Sequence, residues 1–410
     1  MAFTWTPRGS RWAAASAVAL ALWASAAPTL IYPVYATEWH LTTAVTTTVF
    51  AAYPVALIGT LLLLGGFAET VGNRAAILAG LSFLGLGALT FLLAPNLSLL
   101  LAGRALMGVG VGLSLGPATS VIASTRADGA RDRTGPITTA ASSVGIITAL
   151  LVGGASVQFG PSPLHTAYIA LLAGAVVTVL GAWYLPRDAQ PDNSRWRPRR
   201  PAVPRRLLPF LAGTLGVSAA YALGAIFLGV GAQFARDTVR SDDAFVNGVV
   251  LAISAAAIGV VALVAGRLGA AAALRLGALA AVVAQALMIT AGATHSMPVL
   301  VLYSLVGGAG YSLLFSGGVT LVTRSAPAEH RAATTSSAYL VAYLVQAVTA
   351  LGVGALGTAH GLQTALVVGS VTVVVLALAA VVTLLARASS PDAEPAPSPH
   401  HDLMKASTTR

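Results

Sequence analysis

Eight long stretches of this 410-residue chain carry almost no charge. A helix needs about 20 consecutive apolar residues to cross the hydrocarbon core of a bilayer, and every stretch reaches that length. Charged residues make up 9% of the chain, against roughly 25% in a soluble domain. This excludes an ordinary soluble enzyme, a disordered protein and a nucleic-acid-binding domain. The stretches are 12–37, 39–68, 75–125 (interrupted only by Arg104), 134–186, 207–235, 244–266, 276–323 and 332–386.

Four of these stretches are about twice as long as one membrane span. Each has turn-forming residues near its middle, which indicates two helices joined by a tight turn. These turns are Pro95-Asn96, Gly160 to Pro163, His295 to Pro298 and His360-Gly361. Four single and four double stretches predict an all-α integral membrane protein with twelve transmembrane helices. The first run loosely resembles a signal peptide near Ala24-Ser25-Ala26, but it continues to Ala36, so we expect an uncleaved first helix.

The basic residues predict the orientation in the membrane. With the N-terminus inside, cytoplasmic segments hold 20 of the 23 Lys and Arg residues, outer loops hold Arg236 and Arg240, and Arg104 lies within a span. Cytoplasmic loops of membrane proteins carry such an excess. We therefore expect a multi-pass protein of the cytoplasmic membrane with both termini in the cytoplasm. The net charge of +10 then indicates contact with anionic inner-leaflet lipids, and no nucleic acid.

One hydrophilic segment, residues 186–206, divides the chain into two similar halves. Its five prolines and seven arginines indicate an irregular cytoplasmic linker. Gly65 and Gly108 recur as Gly266 and Gly308, at an offset of about 200 residues. Such repetition is typical of two bundles related by an axis along the membrane normal, with a substrate site between them. The predicted organisation is a cytoplasmic N-terminus (1–11), an N-terminal six-helix bundle (12–185), the linker (186–206), a C-terminal six-helix bundle (207–386) and a disordered cytoplasmic tail (387–410).

The loop after the second predicted helix carries the most specific motif. It reads Gly65-Gly66-Phe67-Ala68-Glu69-Thr70-Val71-Gly72-Asn73-Arg74. This is similar to motif A of the major facilitator superfamily, and the resemblance covers nearly the whole chain. Thr70 and Asn73 replace two basic positions of that motif. The resemblance implies a gating role for Gly65, Glu69, Gly72 and Arg74, with a Glu69–Arg74 ion pair latching the inner gate. The alternative is a polar turn with no gating role.

Arg104 opens a second motif within the fourth predicted helix. The segment from Arg104 through Gly108 and Gly110 to Gly112 resembles motif B of the same family. A charge at membrane depth costs at least about 2.5–3.5 kcal/mol on insertion scales, so it should face the bundle interior or water. The resemblance implies a role in proton coupling or in pairing with substrate charge. The alternative is an arginine that snorkels to the outer interface.

Two weaker signals indicate the twelve-helix drug-exporter branch of the family. The fifth predicted helix matches three of five positions of the antiporter motif C, through Gly145, Gly153 and Gly154, but lacks its Gly-Pro step. The first helix carries Pro28 to Tyr35, which resembles a stretch common among those exporters. The motif C match is partial, and small residues at this spacing also serve ordinary helix packing.

Acidic residues are absent from the middle of every predicted span. Proton-coupled relatives often keep a buried carboxylate that alternates between its protonated and charged forms. Glu38, at the outer end of the first helix, is the best remaining candidate for proton coupling together with Arg104, and Glu69 comes next. The alternative for Glu38 is a solvated loop acid.

Aromatic and polar side chains within the spans provide the candidate binding site. Tyr339, Tyr343 and Gln346 have four- and three-residue spacing and therefore share one helix face. In this family the first, fourth, seventh and tenth helices line the cavity, which adds residues on those helices. An aromatic cleft without an acid suits a neutral or anionic lipophilic molecule, although Tyr and Trp also occupy interfacial belts. The candidate substrate-binding residues are Trp23, Tyr32, Arg104, Tyr221, Tyr303, Phe315, Tyr339, Tyr343 and Gln346.

These observations predict a secondary active transporter, most simply one for proton-linked efflux of a small lipophilic molecule, acting as a monomer. The first alternative is uptake or facilitated diffusion of a small metabolite. The second is a membrane receptor or assembly factor that transports nothing. Enzyme chemistry is not indicated, since the chain has no cysteine, no phosphate-binding Gly-Lys-Ser/Thr loop and no histidine with metal-ligand spacing. We therefore expect no cofactor and no metal site.

Overall fold

The computed structural model describes residues 4–125, 134–187, 204, 206–327 and 330–388. Most of the predicted linker 186–206 and nearly all of the predicted tail 387–410 lie outside these residues. Fourteen α-helices and one π-helical turn, with no β-strand, make up the secondary structure of the described part. The helices are α1 Pro7–Ala26, α2 Tyr32–Glu38, α3 Thr43–Leu64, α4 Phe67–Val71, α5 Asn73–Leu92, α6 Leu97–Ser124, α7 Thr134–Phe159, α8 Pro163–Trp183, α9 Leu207–Gln233, α10 Ala244–Ala265, α11 Ala270–Thr294, α12 Met297–Ser325, α13 Arg331–His360 and α14 Leu362–Ala388.

Eleven of these helices are long and apolar enough to cross a membrane. Large apolar side chains lie exposed around the bundle, including Phe159, Val177, Leu63 and Val382. A soluble protein of this size does not expose so much contiguous apolar surface. The prediction of an all-α integral membrane protein is therefore confirmed.

The first predicted span, residues 12–37, differs from the prediction because it is two helices. α1 ends at Ala26, and α2 begins at Tyr32 after a tight turn. Pro28 and Pro33 have no N–H to donate, and each restricts the residue before it. The turn is held by two backbone hydrogen bonds between residues three apart. Thr29 N donates to Ala26 O at 3.0 Å, and Ile31 N donates to Pro28 O at 2.9 Å.

The helices pack as two groups that follow the chain order. In the first half α6 packs on α1, α3 and α5, and α8 packs on α5. In the second half α12 packs on α9, α10 and α11, and α14 packs on α9 and α11. α9 is buried along nearly its whole length, whereas the other spans bury one side.

The repeat seen in the sequence reappears in helix packing. A Cβ at Gly108 in α6 would lie 3.0 Å from the Cβ of Ala56 in α3. A Cβ at Gly308 in α12 would lie 2.9 Å from the Cβ of Ala257 in α10. Small residues let helices approach closely in a membrane. The α3–α6 and α10–α12 pairs are thus equivalent contacts of the two halves, about 200 residues apart.

Successive spanning helices run in opposite directions, so their ends lie on two faces of the bundle. The linker face carries the Gly65–Gly72 loop and the ends of α8 and α9 that flank residues 186–206. The distal face carries the turns around His40, His295 and Gly361, each with a positive φ. These two faces define the ends of the cavity described next.

Candidate substrate cavity

A cavity of about 1010 Å³ lies between the two halves. This is at the upper end of the roughly 300–1,000 Å³ typical of small-molecule sites. Its walls come from α1, α3, α6 and α7 of the first half and from α9, α10, α12 and α13 of the second. Gly65, Phe67, Gly135 and Arg331 line its end at the linker face, and no described residue of the distal loops lines it. The cavity therefore extends to the linker face.

Close helix contacts between the halves seal the distal end. A Cβ at Gly154 in α7 would lie 2.7 Å from the carbonyl oxygen of Ala244, at the start of α10. A Cβ at Gly354 in α13 would lie 3.1 Å from Cα of Ala44 in α3. Glycine is required for such separations, because any larger residue would meet backbone atoms. The α7–α10 and α3–α13 contacts thus leave no room for a solute to pass.

Polar contacts across the halves reinforce this seal. The backbone N–H of Ala244 donates to Oε1 of Gln158 at 2.9 Å, and that of Ala44 donates to Oγ1 of Thr358 at 2.9 Å. Both N–H groups belong to the first turns of helices, which have no partner within their own helix. Each half therefore caps a helix of the other half.

Arg236 adds a third polar contact between the halves. A π-helical turn, Phe234–Thr238, follows α9 and carries this residue. Its Nη1 donates to the carbonyl oxygen of Pro33 at 2.9 Å and to Oγ1 of Thr37 at 3.1 Å. Its Nε pairs with Asp237 at 2.7 Å. The turn thus ties the end of α9 to α2 of the other half.

The second half contributes an aromatic wall. Tyr221 from α9, Tyr311 and Phe315 from α12, and Tyr339 and Tyr343 from α13 all line the cavity. Tyr343 packs edge-on against Tyr221, with ring centroids 4.8 Å apart and planes at 61°. These rings offer a large apolar contact area with hydroxyl groups at their edges.

The cavity is almost free of charge. Of the described residues that line it, only Arg331 is charged, and it lies at the linker face. Thr138, Ser143 and Gln346 also line it, and Oγ1 of Thr138, Oγ of Ser143 and Oε1 of Gln346 are buried without a hydrogen-bond partner. An unsatisfied buried polar atom costs about 1–3 kcal/mol. The site therefore suits an uncharged molecule with a few polar groups.

The structure brings together five of the nine predicted binding residues. These five line the cavity: Tyr221, Phe315, Tyr339, Tyr343 and Gln346. The other four are not among its lining residues: Trp23, Tyr32, Arg104 and Tyr303.

Two of these four pack inside one half of the protein. Trp23 packs against α8, where a Cβ at Gly174 would lie 2.9 Å from its ring. Tyr303 packs against Phe227, with ring centroids 6.3 Å apart. Tyr32 lies buried at the start of α2.

Arg104 lies directly behind the wall of the first half. It is 0% exposed, and its Nη1 donates to the carbonyl oxygen of Ser25 at 3.0 Å. Its guanidinium carbon lies 4.9 Å from the ring centroid of Tyr53 and 5.6 Å from that of Phe50. Ser25, Phe50 and Tyr53 all line the cavity, so Arg104 supports the wall from its far side. Its Nε and Nη2 have no hydrogen-bond partner, and the guanidinium faces the bundle interior.

The motif A loop has a backbone that only glycine adopts readily. Gly72 precedes α5 with φ 86° and ψ 154°. Glu69 lies exposed in the short helix α4. The guanidinium carbon of Arg74 lies 5.5 Å from the ring centroid of Trp183 at the end of α8. This cation–π contact joins the loop to the linker end of the first half, while the Glu69–Arg74 latch stays a prediction.

Glu38, the predicted proton carrier, is remote from the cavity. It is the last residue of α2 at the distal face and is exposed. Its role in proton coupling, like that of Arg104, stays a prediction.

Five aromatic lining residues lie outside the predicted set: Phe50, Tyr53, Phe67, Phe227 and Tyr311. Tyr311 precedes Phe315 by four residues, and this spacing places two side chains on one helix face. The same argument that joined Tyr339 to Tyr343 could have found it. Nothing in the local pattern distinguishes Phe50 and Tyr53 from residues that face lipid.

Comparison with known proteins agrees with this geometry. Solved structures with a similar fold include the nucleoside transporter NupG (16% identity, 92% of this chain and 99% of that chain, TM-score 0.70). A bacterial homolog of the human lysosomal transporter Spinster, inward-facing and occupied, has 15% identity over 95% of this chain and 98% of its own, with a TM-score of 0.73. The peptide transporter POT in complex with sulfate has 15% identity over 92% and 94%, with a TM-score of 0.73.

These identities are low, so the likeness to solved structures shows the fold alone. A search of curated protein sequences finds no match. The sequence profile of the Major Facilitator Superfamily matches residues 13–270 and 241–408, which together span nearly the whole chain. Membership of this family indicates a transporter of small molecules and not an enzyme. This multi-pass membrane protein therefore belongs to the Major Facilitator Superfamily.

Proposed function

We propose that this protein moves small, uncharged, lipophilic molecules across the cytoplasmic membrane by alternating access. The observation that carries the proposal is the cavity of about 1010 Å³ between the halves, sealed at the distal face and without an acidic lining residue in the described part of the chain. An apolar site with a few polar groups selects a lipophilic molecule, because burying a charged one without a partner costs far more.

The transport step in this proposal is a rocking motion of the two halves around the cavity. Opening the distal end requires the α7–α10 and α3–α13 contacts to separate, together with the bonds of Arg236 to Pro33 and Thr37. Closing the linker end would bring the loop around Gly72 against the second half. Such motions in transporters leave the binding site near the midplane.

Efflux is the proposed direction. The excess of basic residues predicts that the linker face is cytoplasmic. The cavity in this conformation would then load from the cytoplasm or the inner leaflet and release to the outside. Both termini would be cytoplasmic, and the basic linker would contact anionic lipids.

Proton exchange is the proposed driving force, with Arg104 as the residue that links it to the cavity wall. Arg104 is a buried charge whose Nε and Nη2 have no hydrogen-bond partner, and it is held between Ser25, Phe50 and Tyr53. A change in its hydrogen bonding would shift residues that line the cavity. Glu38 at the distal face is the proposed acid of this pathway.

Facilitated diffusion is the second candidate. It is favoured by the lining itself, in which the only charged described residue is Arg331. It is also favoured by the exposure of Glu38, which lies far from the lining residues at the linker face. An uncoupled carrier needs no titrating group at its site.

Everted membrane vesicles separate these candidates. Vesicles that hold an imposed pH gradient are exposed to neutral, anionic and cationic lipophilic compounds, while a pH-sensitive dye and compound uptake are recorded together. Antiport predicts that neutral compounds release protons in wild type, that Arg104→Gln abolishes the release, and that Glu38→Gln reduces it. Uptake that is independent of the gradient indicates facilitated diffusion. Binding without any flux would contradict transport and favour a receptor.

A further inference from the structure

Four aromatic rings of the cavity wall have nearly parallel planes. We call them the aromatic tile: Tyr221, Tyr311, Phe315 and Tyr339. The plane of Phe315 lies within 6° of Tyr221, within 16° of Tyr311 and within 17° of Tyr339. Tyr221 and Tyr311 differ by 11°. The rings come from three different helices, so their shared orientation is not imposed by the periodicity of one helix.

The spacing of the tile shows that its rings are offset and do not stack in one column. Tyr221, Tyr311 and Phe315 have mutual centroid distances of 6.4, 6.2 and 6.1 Å. Three parallel rings at equal mutual distances cannot form a face-to-face column, because the outer rings of a column are twice as far apart as neighbours. They form a staggered cluster at the cavity wall, and Tyr339 lies 6.2 Å from Phe315.

Small residues and a neighbouring ring hold the tile in place. A Cβ at Gly224, one turn after Tyr221 in α9, would lie 3.3 Å from Cε2 of Tyr311. Glycine at this position therefore leaves room for the Tyr311 ring. Tyr343 packs edge-on against Tyr221 and bounds the tile on that side.

One polar acceptor lies beside the tile. Gln346 is 9% exposed, lines the cavity, and follows Tyr343 by three residues on the same face of α13. Its Oε1 has no hydrogen-bond partner. The oxygen is buried, so the Gln346 side chain must turn toward the cavity to accept a ligand N–H or O–H, and that bond would remove the free-energy cost of the unpaired acceptor. Phe50 and Tyr53 of the first half provide further aromatic rings in the cavity lining.

Resting on the proposed function, we infer that the cargo is a planar, uncharged, fused-ring aromatic molecule that carries a hydrogen-bond donor on its edge. Its flat face lies on the aromatic tile and its donor bonds Oε1 of Gln346. Offset stacking of aromatic rings contributes beyond the apolar area that it buries, and a saturated ring system cannot provide it. The tile thus selects flat molecules from among equally lipophilic ones.

The test uses the full-length protein in lipid nanodiscs and two matched pairs of probes. Fluorene and perhydrofluorene share a carbon skeleton, but only fluorene is flat and aromatic. Carbazole and dibenzofuran share shape, but only carbazole has an N–H. Carbazole binding is followed by its fluorescence, with empty nanodiscs as the control for lipid partitioning, and the other three compounds act as competitors. We expect fluorene to compete better than perhydrofluorene, although the saturated compound is the more lipophilic.

Matched variants assign the effect to the tile. Phe315→Leu should weaken carbazole binding about two- to tenfold, the equivalent of one aromatic pair. Phe227→Leu removes a ring that also lines the cavity but lies outside the tile, and it should weaken carbazole binding less than Phe315→Leu does. Phe315→Tyr keeps the ring and should retain binding, and Gln346→Leu should remove the preference for carbazole over dibenzofuran. Elution volume and melting temperature identify any variant that misfolds.

Several outcomes would overturn the inference. These are an absence of saturable carbazole binding, equal competition by fluorene and perhydrofluorene, or equal losses in Phe315→Leu and Phe227→Leu. If the protein exports saturated lipophilic compounds and the two variants lose carbazole affinity equally, the proposed function holds but the tile does not select the cargo. Conversely, suppose that carbazole binding depends on the tile while cells that express the protein accumulate carbazole as control cells do. That result would support the binding site and refute transport.

Discussion

Gly354 offers a direct test of how the distal end of the cavity is sealed. A Cβ at this position in α13 would lie 2.8 Å from Cβ of Thr47 and 3.1 Å from Cα of Ala44, both in α3 of the other half. Thr47 is buried, and its hydroxyl donates to the carbonyl oxygens of Thr43 at 2.9 Å and Ala44 at 3.1 Å. Rotation of that side chain therefore disrupts these bonds, and the Cα cannot rotate away. Gly354→Ala should push α13 from α3.

The expected magnitude follows from the cost of overpacking. One methyl group forced into a packed contact costs about 1–3 kcal/mol, and each 1.4 kcal/mol changes an equilibrium tenfold. The conformation open to the linker face should lose about 5- to 150-fold in population relative to one open to the distal face. Replacing glycine with alanine within a helix also stabilises the helix by about 1 kcal/mol. The control must therefore be another glycine-to-alanine change in the same helix.

Gly352 provides this control two residues earlier in the same helix. A Cβ there meets no atom within 4 Å, so Gly352→Ala changes helix propensity without touching α3. Both variants are made in a chain that carries Ser142→Cys, a position that lines the cavity. Because the natural chain has no cysteine, maleimide labelling reports on this position alone.

The labelling rate from the linker face is the measurement. Gly354→Ala should slow the labelling of Ser142→Cys, and Gly352→Ala should leave the rate unchanged. Equal rates in the two variants, with both proteins folded, would refute the role of the α3–α13 contact in sealing the cavity.

The remaining predictions concern three other positions. Arg104→Lys should keep the positive charge but lose the planar contacts with Tyr53 and Phe50, so compound-driven proton release should fall severalfold, and an unchanged rate would exclude its proposed coupling role. Gly72→Ala should lower stability by about 1–3 kcal/mol because of its positive φ, seen as a lower melting temperature, whereas an unchanged value would contradict the strained backbone. Arg236→Gln should weaken the distal seal by removing charge-assisted bonds to α2 and slow the labelling of Ser142→Cys from the linker face, and unaltered labelling would show that those bonds are dispensable.

The sequence by itself determined the membrane environment and the repeat. Uncharged apolar stretches of this length indicate membrane spans, and in lipid they form helices because the backbone groups must be hydrogen-bonded within the segment. The motif around Gly65 and Gly72 indicated the family, which the profile match confirmed. The offset between Gly108 and Gly308 predicted a packing equivalence that the structure contains.

Only the tertiary structure decided which side chains face the cavity. Helices that are apolar on every side show no periodicity that separates a lipid-facing ring from a cavity-facing one. The resemblance makes Trp23 and Tyr303 candidates together with Tyr221 because their helices line the cavity in the family, although they pack within their own halves. Arg104 is a candidate for the same reason, yet it lies behind Tyr53.

The parallel rings of the tile and the sealed distal end have the same origin. Both depend on pairs of helices far apart in the chain, such as α9 with α12 and α3 with α13. Their relative positions are determined by close approaches at residues such as Gly224, where a Cβ would crowd the Tyr311 ring, and Gly354, where a Cβ would overlap Thr47. A sequence shows where glycine occurs, but the partner that each glycine admits is decided only when the helices pack together.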